Sequence, residues 1–147
     1  MKKLSIMLVA FVTLGLSSCS SDDNSNDNNT TASLVGKWEF SQKGYIVDNI
    51  ETLQPYSHTT GCGKDYIEFK SNNTFEDLWY ENSNTGCISE SENGTWSQSG
   101  TTITTTYLGG SPETIEVVTL DATTLKVKDT YLEDGQTQIE ITVFKRM

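Results

Sequence analysis

From Leu34 to the C-terminus the chain is written in short alternating runs, and this period of two is what most restricts its fold. Ile139-Glu140-Ile141-Thr142-Val143 puts apolar residues on one side and polar residues on the other. Leu125-Lys126-Val127-Lys128 and Tyr66-Ile67-Glu68-Phe69 alternate likewise. Thr101 to Tyr107 is nearly all β-branched, with only Ile103 and Tyr107 strongly apolar, and Thr114 to Leu120 is rich in Ile, Val and Thr. Successive side chains of a strand point to opposite faces, so such runs suit a sheet with one dry face and one wet one. Turn signals separate them: Ser71-Asn72-Asn73, Asn93-Gly94, Ser99-Gly100, Gly109-Gly110, Asp121-Ala122 and Asp134-Gly135. No window carries a sustained helical repeat. The spacing predicts strands at 34–42, 44–50, 65–70, 74–81, 90–97, 101–107, 113–120 and 124–131, with a further one at 136–145. Short sequential strands joined by tight turns make an all-β, up-and-down antiparallel meander. Such a meander most easily removes its edges by closing into a barrel of about eight strands.

The N-terminus is of another kind. Lys2 and Lys3 precede an apolar run from Leu4 to Leu16, and Leu16-Ser17-Ser18-Cys19 follows. This is the layout of a secretory signal. The run is about 13 residues, short of the roughly 20 that a membrane-spanning helix needs. A cysteine at the expected cleavage point resembles the lipobox of bacterial lipoproteins, in which that thiol is acylated and becomes the mature N-terminus. Ser20 to Ser33 reads SSDDNSNDNNTTAS, with no large apolar residue to offset the cost of ordering, so it is a tether. The expected division is a signal peptide at 1–18, a lipid-anchored tether at 19–33 and a β-barrel domain at 34–147. Ser21-Asp22-Asp23 resembles the short acidic signals that send lipoproteins to the outer face of the outer membrane. The resemblance implies an outer-membrane lipoprotein, held by its lipid and displayed at the cell surface.

Charge and cysteine content narrow the partners. The formal net charge is −10, and removing Lys2 and Lys3 with the signal makes it about −12. Such a surface repels phosphate backbones, and no Lys/Arg cluster offsets it, so nucleic acid is not an expected partner. Anionic membrane surfaces are repelled for the same reason, which leaves membrane attachment to the lipid anchor. With Cys19 set aside, Cys62 and Cys87 remain as an even pair in an exported domain and read as one disulfide. Two thiols and the single histidine, His58, fall short of a four-ligand zinc set, so no metal and no cofactor are expected.

The mature domain opens with Leu34-Val35-Gly36-Lys37-Trp38 and ends with Val143-Phe144-Lys145-Arg146. A Gly-x-Trp on the first strand and a basic residue after the last resemble the lipocalin pattern. In that family the Trp plugs one end of the barrel and the basic side chain lies across it. The resemblance therefore implies an end plug of Gly36, Trp38 and Lys145 or Arg146. It is closest to the lipocalin-like domains of small bacterial lipoproteins. Their order of elements is matched by Leu34/Gly36/Trp38, Cys62, Ile67/Phe69, Asn73-Thr74-Phe75, Cys87 and Gly94/Trp96. It implies a fold and an anchor, without naming a ligand.

No catalytic constellation is marked out. His58 is alone, no Gly-x-Ser-x-Gly is present, and Glu90, Glu92, Asp129, Glu133 and Asp134 read as solvated strand faces and turns. Trp38 and Trp96 read as core. An eight-stranded barrel either fills its interior or holds one small ligand. The expected function is binding, by a monomer, of a small apolar or amphipathic molecule at the end opposite Trp38. Tyr45, Tyr56, Trp79, Tyr80 and Tyr107 are the nominated ligand-facing aromatics, since such rings offer apolar area with a hydrogen-bonding handle. Small inward residues such as Thr105, Thr119 and Thr142 would leave room for a guest. The rival expectation is a filled barrel that contacts protein or glycan through loops 51–64 and 81–89. Stable anchoring needs more than one acyl chain. Cys19→Ala is expected to leave uncleaved precursor or to release soluble protein, as read by membrane fractionation and N-terminal sequencing.

Overall fold

A computed structural model describes residues 32–147. Cys19, the apolar run before it and most of the tether lie outside the described residues. Every regular element among the described residues is a strand: β1 Gly36–Val47, β2 Ile50–Pro55, β3 Tyr66–Phe69, β4 Thr74–Ser83, β5 Gly86–Ser99, β6 Thr102–Tyr107, β7 Glu113–Leu120, β8 Thr124–Glu133 and β9 Gln136–Arg146. β3 to β9 follow one another in antiparallel order, and β1 bonds to both β3 and β9. This closes an eight-strand barrel with β2 as an added flank on β1.

The first strands differ from the sequence expectation. In place of strands at 34–42 and 44–50, β1 runs unbroken through Gly44 to Val47. The turn is Asp48-Asn49, whose φ angles are 51° and 64°. Asp and Asn tolerate the left-handed backbone better than other side chains, and two in succession suit the tight turn of a hairpin. β2 then returns along β1, with Ile50–Pro55 opposite Val47–Gln42. β3 occupies the same side of β1 further on, with Tyr66–Phe69 opposite Glu39–Gly36. β2 and β3 are thus one strand track, interrupted by residues 56–65. Two other turns also shift. Asn93-Gly94 lies inside β5, and the β4–β5 turn is the shorter Asn84-Thr85, so most of 81–89 is strand. Likewise 51–55 is strand and not loop.

The interruption has a structural consequence. β3 bonds to β4 only from Tyr66/Leu78 to Phe69/Phe75, and β4 continues to Ser83 against β5 alone. The sheet therefore splits between β2 and the far part of β4, and segment 56–65 fills the split. Tyr56 N–H donates to Ser41 O at 2.9 Å, and Phe40 N–H to Asp65 O at 3.2 Å. Tyr80 N–H donates to Asp65 Oδ1 at 2.9 Å, and the Thr59 hydroxyl donates to Tyr80 O. The Cys62–Cys87 disulfide fastens the segment to the start of β5, with Cα atoms 5.5 Å apart and a sequence separation of 25. Closing a loop of that length contributes roughly 3 kcal/mol on a chain-entropy view.

The end where β1 starts is packed shut. Leu34, Trp38, Phe69, Phe75, Ile103, Leu125 and Phe144 form its buried cluster, with Trp96 and Ile67 against it. Trp38 is 0% exposed, and its indole N–H donates to Leu34 O at 2.7 Å. The Arg146 guanidinium lies 4.1 Å from the Trp38 ring centre. It also donates to Val35 O and Ala122 O, both at 3.1 Å, and to Ser33 O. Gly36, at φ 136°, stands where a Cβ would come within 2.6 Å of Arg146 Nη1. Of the two basic candidates, Arg146 takes the place over Trp38, while Lys145 is exposed and opposite Glu39. Thr105 and Thr142 are buried as expected of inward residues. Thr119 is exposed, because a register shift between Val117 and Thr119 turns it outward beside Lys126.

Removing the plug leaves a cavity in a well-packed end. Trp38→Ala is expected to cost about 3–5 kcal/mol in chemical denaturation. Lys145→Ala is expected to stay within about 0.5 kcal/mol of the parent.

Candidate functional site: the open end of the barrel

Antiparallel order brings the turns after β1, β4, β6 and β8, with segment 56–65, to the end opposite Trp38. The alternation of β1 is reset on the way. Phe40 pairs with Phe144, but Gln42 pairs with Val143, so Ser41 is an extra residue. Beyond it Lys43, Tyr45 and Val47 take the inward side, together with their partners Gln54, Thr52 and Ile50 on β2. They face a cavity of about 590 Å³ lined by Lys43, Tyr45, Val47, Thr52, Gln54 and Tyr56 among others. Its floor is an aromatic stack. Tyr56 lies 4.9 Å from Phe40, centre to centre, and Phe40 lies 4.6 Å from the core ring of Phe144. Burial, and then the neighbouring Asp65 charge, pushes the Tyr56 hydroxyl up to about 12, so it keeps its proton as a hydrogen-bond donor. Lys43 Nζ sits 2.9 Å from Glu140 Oε1, joining β1 to β9 at this level.

The β4–β6 side of the barrel, which does not line that cavity, is built around a missing side chain. Gly94 pairs with both Phe75 and Tyr107, and a Cβ there would strike Thr106 O and the Phe75 ring. The Tyr107 ring stands edge-on to Phe75 at 5.0 Å, and its hydroxyl donates to Asp77 Oδ2 at 3.3 Å. Burial pushes the Asp77 carboxyl up to about 6, against the lowering effect of that hydrogen bond, and burial also raises the Tyr107 hydroxyl. Trp79 follows Asp77 on the same face, its N–H donating to Glu81 Oε1 at 3.2 Å. The chamber is therefore plugged and filled at one end and open, aromatic and polar at the other.

Residues 34–127 match the lipocalin-like domain family. The chain belongs to that family. No curated protein sequence matches it. Among solved structures it is similar to a lipocalin-like protein from Bacteroides uniformis, with 18% identity, a TM-score of 0.54, and 78% of this chain matched to 98% of that one. It is also similar to an uncharacterized protein from Bacteroides eggerthii, with 15% identity, a TM-score of 0.52, and 78% of this chain matched to 100% of that one. At such identities the likeness is one of fold.

Within this lipocalin-like domain the nominated aromatics separate into three groups. Tyr45 and Tyr56 line the cavity. Trp79 and Tyr107 stand on the β4 and β6 walls. Tyr80 does not line the mouth. It alternates with Trp79 to the outer face, where its ring packs on Gly63 of the segment fastened by the disulfide. Three acids turn inward at this end. Glu90 and Glu92 lie opposite Trp79 and Asp77, and Asp129 lies opposite Glu140, which places all three on the inner wall, where Glu90 and Glu92 stay solvated as expected and Asp129 is half-buried. His58 is a brace. It accepts from Asp65 N–H on Nδ1 at 3.1 Å and donates from Nε2 to Phe40 O at 2.9 Å, so backbone groups occupy both ring nitrogens. Lys43, Thr52 and Gln54 were not singled out from sequence. Their inward position depends on the extra residue at Ser41, and alternation alone does not show it.

Asp77 makes stability depend on pH. Its folded value, about 6, lies above the ordinary 3.8, so the folded state holds the proton more tightly than the unfolded one. The stabilisation is present at acid pH and is lost as the pH rises through about 6, up to about 3 kcal/mol in all. Asp77→Asn keeps an acceptor for Tyr107 and removes the titration. It is expected to raise Tm at pH 7.5 by several degrees and to leave Tm at pH 4 nearly unchanged, as read by thermal unfolding.

Proposed function

We propose that this lipocalin-like protein is a lipid-anchored, extracytoplasmic binding protein that takes a small apolar or amphipathic molecule at the open end of its barrel. The observation that carries the reading is the cavity of about 590 Å³ with Tyr45 and Tyr56 on its walls, at the end opposite the Trp38 plug. Two rings give a guest apolar area, while Thr52, Gln54 and the Tyr56 hydroxyl give it hydrogen bonds. Ligand sites of this kind are concave, largely apolar and oriented by a few polar groups. The reading is of binding and not of turnover: His58, the one histidine, is engaged with backbone on both nitrogens.

The lipid anchor rests on the sequence, with Cys19 as the acylated residue and residues 20–33 as a tether. The chain enters the domain at the plugged end, where Arg146 holds the carbonyls of Ser33 and Val35. An anchor on Cys19 therefore joins the barrel at its sealed end. This arrangement favours a mouth open to the surroundings.

Titration with a panel of fatty acids, porphyrin-like and aromatic amphiphiles, followed by tryptophan fluorescence, tests the reading. At least one class is expected to saturate. Tyr45→Ala with Tyr56→Ala is expected to weaken it tenfold or more, and Tyr80→Ala to leave it unchanged. A natively folded protein that binds nothing in the panel overturns the small-ligand reading.

A further inference from the structure

The inner and outer walls of the barrel treat charge differently. On the outer wall carboxylates meet lysines: Lys37 with Glu68 at 3.9 Å, Lys70 with Glu76 at 3.4 Å, Lys126 with Glu51 at 2.7 Å, and Lys128 with Glu116. On the inner wall of the open half, Asp77 is directly opposite Glu92, and Asp129 is directly opposite Glu140. Like charges opposed across a strand pair are destabilising. Among the described residues the one cation bonded to this wall is Lys43, on Glu140. Asp77, Glu90, Glu92, Glu113 and Asp129 have no basic partner there.

The rim above that wall is apolar at its tips. Val47 and Ile50 flank the β1–β2 turn, Ile88 follows the β4–β5 turn, and Leu132 precedes the β8–β9 turn. All four are exposed, Ile50 to 68% and Leu132 to 76%. Large exposed apolar groups gathered around a polar centre mark interaction surfaces. These lie on three separate turns, so a single small molecule in the cavity does not reach them together.

We propose that the open end is a docking surface for a cationic amphipathic peptide segment, with Lys or Arg side chains entering the acidic mouth and aliphatic side chains resting on the rim. Charge complementarity selects this occupant. A second copy of the chain placed mouth to mouth sets acid against acid. Nucleic acid and anionic lipid are repelled in the same way. The domain's own N-terminal segment enters at the far, plugged end, next to Arg146. A segment with both kinds of side chain answers both the acidic wall and the apolar tips. The small-ligand reading does not enter this argument, and either stands if the other fails.

Three probes of equal length test it by titration calorimetry: alternating Lys-Leu, alternating Glu-Leu, and Lys alone. The Lys-Leu peptide is expected to bind, at least tenfold more tightly than Lys alone, and the Glu-Leu peptide not to bind. Raising salt is expected to weaken binding, as screening requires. Glu90→Gln with Glu92→Gln, inside the mouth, is expected to lower affinity tenfold or more. Ile50→Ser with Leu132→Ser, on the rim, is expected to lower it several-fold. Glu68→Gln with Glu116→Gln removes the same charge from the outer wall and is expected to leave binding unchanged. All these sites are on exposed or half-exposed positions, and thermal unfolding confirms that each variant is folded. Equal losses from the inner and outer pairs, equal binding of the Glu-Leu peptide, or no binding of the Lys-Leu peptide overturns the proposal.

Discussion

The contact on which the rest of the structure depends is Arg146 laid over Trp38. It joins the two ends of the domain. The guanidinium rests on the indole 4.1 Å from its centre and donates to carbonyls of Ser33, Val35 and Ala122. A large flat residue fills the bore, and a flat cation seals it while satisfying carbonyls that would otherwise be unpaired. Arginine suits the position because its planar fork stacks and donates in several directions at once, which a lysine at 145 or 146 would not do. Gly36 belongs to the same device, since any side chain there would occupy the space of Nη1.

With one end sealed, the rest follows from how far the packing reaches. The aromatic and aliphatic cluster around Trp38 fills the lower bore, and the stack from Phe144 through Phe40 to Tyr56 marks where it stops. Above that level the inward residues become Lys43, Tyr45, Thr52, Gln54, Asp77 and Trp79, and the interior changes from dry to wet. The split between β2 and β4 falls at the same level. Segment 56–65 closes it with a disulfide, with His58 bonded to backbone on both sides, and with Asp65 bonded to Tyr80. The mouth is therefore walled by a hairpin, a fastened segment and strand ends, and not by a continuous sheet. Burying a carboxyl at Asp77 is costly to the folded state, and its raised titration shows that cost. Departures of this kind from the best packing and charge balance are usual at functional sites.

Much of this was legible in the chain. Alternation at Tyr66–Phe69, Leu125–Lys128 and Ile139–Val143 placed strands where β3, β8 and β9 stand, and the Gly-x-Trp at Gly36 with the basic C-terminus pointed to the plugged end. The disulfide followed from an even pair of cysteines. Three things were not legible. The expected strands part at Lys43, but the chain turns at Asp48-Asn49, because hairpin geometry is decided by which pair of residues can take positive φ beside a register already set by β9. Asn93-Gly94 resembles a turn, but Gly94 lies mid-strand where a Cβ would strike Thr106 O and the Phe75 ring. Tyr80 resembles a ligand contact, but its alternation with Trp79 sends it outward beneath Gly63.

The sequence by itself determined the class of fold, the strand count to within one, the plug and the cysteine pairing. It is also the sole ground for the secretory signal and for acylation at Cys19. These are properties of local pattern: period two, turn chemistry, and a few residue types at set places. The tertiary structure alone decided which face each strand turns inward. One extra residue at Ser41 moves Lys43 and Tyr45 to the inside, and one at Val118 moves Thr119 to the outside. A single-residue slip reverses every side chain beyond it, so the composition of the mouth depends on pairing between strands far apart in the chain.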